Sequence, residues 1–432
     1  MNDPDTESGY LKAALECLVK GVAQFNREHD IVVPENNRLI VKGVDGTSIP
    51  LRHVVGRGSG VSWVLSDGHG TLFDECVGHL AGLRPDVVST SGAEDAIDEL
   101  LGQFADSGWR LAGLRGRVRQ LVADTRRGSC DEEEVAIPVW GLAQESEELA
   151  VGKCMLLTRR KFVERHPRAA EALWSGEDSR GSSNLASVVV TRVAGCDESA
   201  RRYRALCEAN RSLNLIRAVA YPALGSLWLR QFGVAGAGDR GSQYAVVDDS
   251  RRLGCRSLGQ FGGPGLRDFM LDERMLETLD SMGFRALSSI ATSARARPYQ
   301  RALATAANWM GEATKPDSME GKLLKACFAL DAMLGDESTS VPDKGQRARI
   351  SERAAFLLAT TYRERQRVHS DIGRLVEMRS QLAHGSALQV FDRDVVAAMK
   401  YARRILKTLV LDREFPKSDD LAKWVLGESL RG

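Results

Sequence analysis

Apolar residues recur every three or four positions along much of the chain, and the clearest runs lie toward its end. "PYQRALATAANWMGEA" sets Leu303, Ala306, Ala307 and Met310 on one stripe, and Pro298 suits the first turn of that helix. "DSMEGKLLKACFALDAMLG" repeats the spacing with Leu323, Cys327, Leu330 and Leu334, and Gly335 reads as its C-cap. Beyond the polar loop "DESTSVPDKGQRAR", the stretch "ISERAAFLLATTYRERQRVHSDIGRLVEMRSQLAHG" carries one or two helices. "DRDVVAAMKYARRILKTLVL" adds another, with Val395, Met399, Ala402, Leu406 and Leu409 facing inward. Residues 291–432 are therefore expected to form an all-α bundle.

Upstream the texture differs. Residues 1–130 read as a mixed α/β domain. "YLKAALECLVKGVAQFNRE" predicts a helix with Leu11, Ala14, Leu15 and Leu18 on one face, while "RLIVKG" and "VSWVLS" predict short strands. "AEDAIDELLGQFADSG" and "RGRVRQLVADTRRG" predict further helices before the polar break "SCDEEE". Residues 131–290 read as richer in strand, in "VAIPVWGL", "ASVVVTRV" and "QYAVVDD", around the helical "DESARRYRALCEANRSLNLIRAVAY". The glycine-rich "FGVAGAGDRGSQ" and "LGQFGGPGLRD" predict loops. The expected fold class is α+β multidomain: strand-rich N-terminal and middle regions followed by a helical bundle.

Composition narrows the function classes. A chain of 432 residues exceeds one ordinary core and predicts two or three domains. With 59 Lys+Arg against 58 Asp+Glu, the net charge of +1 provides no global field for nucleic acid, so such binding must use local patches or a second subunit. No run of about 18 apolar residues predicts a membrane span, and "MNDPDTESGY" lacks the order of a signal peptide. Cysteines stand singly at 17, 76, 130, 154, 196, 207, 255 and 327, without CxxC. That argues against structural zinc and a thioredoxin-like site, and for free thiols in a reducing cytoplasm.

"GAGDRG", Gly236–Gly241, matches G-x-G-x-x-G, but strand-like "SQYAVVDD" follows where a dinucleotide site requires a helix. Neither G-x4-G-K-[ST] nor G-x-S-x-G occurs, which disfavours a P-loop NTPase and an α/β-hydrolase. Two arginine-rich helices could contact phosphate. One holds Arg110, Arg115, Arg117, Arg119, Arg126 and Arg127; the other holds Arg201, Arg202, Arg204, Arg211 and Arg217. A solvated or internally paired helix face is the commoner meaning of such patterns. His69 and His79 read as loop or core histidines.

One position breaks the apolar pattern. On a wheel of about 100° per residue, Val368, Ile372, Leu375, Val376, Leu382 and Ala383 share an arc, with Arg379 near its middle. A guanidinium keeps its charge and is costly to bury without a partner. It therefore needs a carboxylate such as Asp331 or Glu352, a second subunit, or a crevice open to an anion. His384 lies roughly 140° round from Arg379 on a regular helix, so the two side chains diverge unless the last turn breaks near Gly385. Spacing alone leaves two readings open: a structural ion pair with a capping histidine, or a site.

"RSQLAHG" fits the R-x4-6-H motif, and its context adds to it. A helix like "FALDAMLG", a variable loop, an "ERAAFLL" helix and the R-x4-H helix end occur in that order. This set resembles the HEPN domains, in particular the Apea-like HEPN branch, over about the last 130 residues. The resemblance implies a HEPN helical bundle and a metal-independent endoribonuclease, commonly a homodimer, acting in antiphage defence or toxin-type growth arrest. By the same resemblance Arg379 and His384 are the catalytic pair, and Asp331, Ser380 and Arg353 are candidate orienting groups. The family often has Asn, Asp or His directly after the arginine; Ser380 stands there in this chain. Arg115, Arg117 and Arg119 are candidate RNA contacts. No cofactor and no metal are expected. The expected partners are an RNA substrate (tRNA or mRNA, unresolved), a second copy of the chain, and a phage-derived or cellular trigger. The rival reading is a non-catalytic HEPN domain used for dimerisation or partner binding.

Overall fold

A computed structural model of the chain describes residues 4–28, 31–32, 40–41, 51–54, 63–84, 88–127, 132–174, 187–195, 198–220, 232–234, 245–246, 269–315, 317–335, 345–413, 415 and 418–431. The G-x-G-x-x-G stretch Gly236–Gly241, the loop "LGQFGGPGLRD" and most of "DESTSVPDKGQRAR" lie outside the described residues. The chain forms two compact units. One comprises Met1–Glu133 with Val193–Arg204, the other Glu134–Arg192 with Ala205–Gly432. The strand-rich middle and the C-terminal helices thus fall in one unit. No helix among the described residues is long and apolar enough to cross a membrane.

In the first unit, α1 (Pro4–Glu28) precedes two short antiparallel pairs, β1 (Ile31–Val32) with β2 (Ile40–Val41) and β3 (Leu51–Val54) with β4 (Trp63–Ser66). Three helices follow: α2 (Asp67–Gly82), α3 (Thr90–Asp106) and α4 (Leu114–Arg127). Their apolar stripes make a single core. Leu11, Leu15, Leu18 and Val22 of α1 meet Phe73, Cys76 and Leu80 of α2, Ile97, Leu101 and Phe104 of α3, and Val118 and Val122 of α4. Burial of each large side chain stabilises by roughly 1.5–3 kcal/mol. Ser89 starts α3 by accepting the Gly92 N–H on Oγ at 2.8 Å. The expectation of a strand-rich N-terminal region is corrected here. Among the described residues it is a helical core with two short ribbons, because the period-3.6 stripes bury far more apolar surface than the two- and four-residue strands can.

The second unit opens on a sheet. Its elements in chain order are β5 (Glu132–Trp140), β6 (Leu142–Gln144), β7 (Glu148–Val151), β8 (Cys154–Thr158), α5 (Arg159–Arg165), α6 (Pro167–Trp174), β9 (Ser187–Ala194), α7 (Glu198–Ala220), β10 (Gly233–Val234) and β11 (Ala245–Val246); the first two residues of β5, the last two of β9 and the first two turns of α7 belong to the first unit. The strand order is β10-β5-β9-β8-β7, and β11 also pairs with β5. Val188 and Val190, two apart on β9, point to one face, where Phe162 of α5 and Ala169, Ala170 and Leu173 of α6 cover them. β12 (Phe269–Leu271) runs parallel to β6 and leads into α8 (Glu273–Asp280) and α9 (Phe284–Thr292).

The C-terminal helices are α10 (Pro298–Ala313), α11 (Met319–Leu334), α12 (Gln346–Leu358), α13 (Tyr362–Ala383), α14 (Asp392–Lys407) and α15 (Ser418–Arg431). A π-helical stretch, Thr408–Asp412, extends α14. Every inward position predicted on α10, α11 and α14 is buried, Leu409 included. Gly335 does cap α11, though with extended backbone (φ −72°, ψ 129°) rather than the left-handed form. Buried polar side chains tie α7 to α10. Asn214 Nδ2 donates to Asn308 Oδ1 at 2.8 Å and to Glu312 Oε1 at 2.7 Å, and Arg217 Nη1 donates to Asn214 Oδ1 at 2.6 Å. Gly311 permits the approach: a Cβ there would lie 2.4 Å from Asn214 Cβ.

Candidate functional site

The inward stripe of α11 places Asp331 beside Leu330, at the edge of the buried face, with 17% of its side chain exposed. Burial raises its carboxyl above the usual range, and the Arg379 charge opposes that shift. Arg379 of α13 donates from Nη2 to Asp331 Oδ2 at 2.7 Å, so one of the two carboxylates that periodicity offered is its partner. On its other side the guanidinium carbon lies 5.7 Å from the centre of the Phe328 ring, which packs against Trp309 at 5.2 Å. Arg379 Nε is buried and has no hydrogen-bond partner among the described residues. A quarter of the side chain (25%) is exposed. The arginine is therefore oriented by a carboxylate and an aromatic ring and still reaches the surface.

Cys327, one turn before Asp331, is buried. Its thiol lies 3.6 Å from the Leu375 carbonyl, and burial, with Asp331 adding, pushes its pKa up to about 12. It stays a neutral thiol and serves packing.

His384 is exposed and forms the C-cap of α13 (φ −91°, ψ 10°). Gly385 follows at φ +76°. The Ser386 N–H donates to Gln381 O at 2.9 Å and the Gly385 N–H to Leu382 O at 3.0 Å. These two bonds are the Schellman ending, which needs a left-handed residue at the glycine. The helix thus stays regular through Ala383, the case in which the spacing sets the two side chains apart within one chain. Among the described residues the His384 imidazole makes no hydrogen bond, ion pair or ring contact.

The other predicted groups are placed as follows. Ser380 is half-buried; its carbonyl accepts the His384 N–H at 3.1 Å, and its hydroxyl bonds to nothing among the described residues. Arg353 is buried on α12 and donates from Nη1 to Leu334 O, tying α12 to the end of the helix that carries Asp331. Arg115, Arg117 and Arg119 stand on α4, in the other unit. Arg115 lies 3.5 Å from Glu16, the Arg117 guanidinium lies over Phe104 at 4.8 Å, and Arg119 is exposed. The second arginine-rich helix is engaged internally: Arg201 bonds Gly195 O, Arg204 bonds Ala194 O, Arg211 pairs with Glu208, and Arg217 is buried on Asn214 and Phe232 O. His69 and His79 of α2 pack against Phe25 and Tyr10 of α1. No cluster of His, Cys, Asp and Glu able to hold a metal ion occurs among the described residues.

Sequence reasoning missed Phe328 and Trp309. Phe328 lies three residues before Asp331 on α11, a spacing that sets both on one face. That signal was readable once Asp331 was singled out; the contribution of Trp309 from α10 was not. Comparison with protein-family models, with curated proteins and with solved structures gives no match.

Proposed function

We propose that the chain is an endoribonuclease of the HEPN type, working as a dimer without a metal ion. The observation that carries the reading is Arg379: a guanidinium held by Asp331 and Phe328, still partly exposed, five residues ahead of an exposed His384 that bonds to nothing among the described residues. An oriented guanidinium suits the non-bridging oxygens of a phosphodiester. An imidazole with neither nitrogen bonded among the described residues is placed to carry a proton.

RNA supplies its own nucleophile. His384 removes the 2′-hydroxyl proton, the O2′–P bond forms, and Arg379 stabilises charge on the five-coordinate phosphorus. The P–O5′ bond then breaks and the leaving oxygen takes a proton. The products are a 2′,3′-cyclic phosphate and a 5′-hydroxyl. Because Arg379 and His384 diverge on one helix, the reading requires the pair of a second copy, which supplies the acid while the first supplies the base. A role in antiphage defence or toxin-type growth arrest comes with the resemblance.

A second reading has its own support. The Arg379–Asp331 ion pair and the Schellman ending at His384 both serve structure, as they would in a non-catalytic dimerisation or partner-binding domain. The test is induction of wild type, Arg379→Ala and His384→Ala in cells, with end-mapped sequencing of total RNA and cleavage by the purified proteins in EDTA. The nuclease reading expects cyclic-phosphate ends from wild type and at least about a hundredfold loss in each folded variant. Folded variants that cut like wild type would sink it. RNA left intact in induced cells, with Arg379→Ala losing only dimerisation, favours the second reading.

A further inference from the structure

Between α12, the N-terminal half of α13 and the end of α15 lies an open cleft of about 670 Å³. That volume is in the usual range for small-molecule sites. One stripe of α13 faces it: Tyr362, then Arg365 and Gln366, then His369, at the i, i+3/i+4, i+7 spacing that stacks side chains on one helix face. These residues lie about three to five turns from Arg379 along the same helix and have no part in the site described above.

The groups are held in place. The guanidinium carbon of Arg365 lies over Phe356, 4.3 Å from the ring centre, and its Nε donates to Ala359 O at 3.2 Å. With the guanidinium held by that bond and that ring, its two outer nitrogens have no hydrogen-bond partner among the described residues. That is a preorganised fork for two phosphate oxygens. His369, one turn on, can donate to a third. Tyr362 is 75% exposed, and its oxygen accepts the Gln366 side-chain N–H at 2.8 Å, which steadies the ring. A steadied, exposed aromatic ring beside a phosphate fork offers stacking to a base. Glu352 also lines the cleft.

We propose that this cleft binds a nucleoside phosphate, with the base stacked on Tyr362 and the phosphate on Arg365 and His369. The same chemistry is offered by a free mononucleotide and by one unit of a single-stranded RNA. The inference does not depend on cleavage, since occupancy can be measured on a chain that does not cut.

The experiment uses the full chain carrying Arg379→Ala and His384→Ala. AMP, UMP and inorganic phosphate are titrated calorimetrically, and a 5′-labelled single-stranded RNA octamer is followed by anisotropy. Saturable binding of AMP or UMP identifies the free nucleotide as occupant; binding of the octamer alone identifies the strand. In either case Tyr362→Ala is expected to weaken binding at least about fivefold, Tyr362→Phe to stay within about twofold, and Arg365→Lys to weaken it about tenfold. Tyr362 is so exposed that its replacement leaves folding intact, so Tyr362→Ala keeps the test decisive if an Arg365 variant misfolds. The proposal is overturned if neither nucleotide nor octamer binds saturably to millimolar concentration. It is equally overturned if Tyr362→Ala and Arg365→Lys bind like the parent, or if inorganic phosphate binds as tightly as the nucleotides.

Discussion

A guanidinium on the inward stripe of α13 needs a partner, and Asp331 meets that need at 2.7 Å. The pairing has a pH signature. Burial lifts the Asp331 carboxyl, so between its unfolded value of about 4 and its higher folded value the folded chain holds a proton that the unfolded chain has released. The stability this group contributes is full below about pH 4 and is lost as pH rises through the folded value. Asp331→Asn is expected to remove that decline, measured as urea-unfolding free energy at successive pH values; curves for wild type and variant that stay parallel across the window would refute it. At this scale the sequence showed the anomaly and proposed Asp331 as one of two partners, because an arginine on an apolar arc is costly and few carboxylates lie on the facing helix. It did not show Tyr362, Arg365 and His369 as a group. They sit on the polar side of α13, where residues facing a cleft and residues facing bulk water have the same composition.

At the scale of elements, the ending of α13 rests on one backbone conformation. Gly385→Ala introduces a side chain at φ +76° and is expected to destabilise by about 1–2 kcal/mol, read from urea unfolding; Gly385→Asn should cost less. If Gly385→Ala costs nothing, the left-handed ending is absent in solution. The opposite sign is expected at Gly116. It lies on the exposed face of α4 with nothing within 4 Å of an added Cβ, so Gly116→Ala should stabilise by about 0.5–1 kcal/mol. The bounds of α10 were legible to the residue, since Pro298 opens the helix and an unbroken stripe runs to Ala313. α2 was not legible. Gly68, Gly70, Gly78 and Gly82 weaken its local preference, and it stands because Phe73, Cys76 and Leu80 bury against α1.

For the whole molecule, the first unit carries its core between Leu11 and Val122, without residues from beyond position 133. A fragment of residues 1–133, kept reduced, is expected to retain helical circular dichroism and to unfold cooperatively in urea. A molten fragment with no transition would show that Val193–Arg204 is needed for that core. Such a division was readable near residue 130 from the polar break "SCDEEE". The return of Val193–Arg204 to the first unit was not, because local pattern carries no record of which distant segment comes back to pack.

The second unit contains a point of mechanical consequence. Where α7 meets α10, Asn214 sits in the notch left by Gly311, bonded to Asn308 about one turn before it and to Glu312 directly after it. Sliding α7 along α10 would break both bonds and bring Asn214 out of the notch onto a residue that has a side chain, so the two helices are pinned at this point.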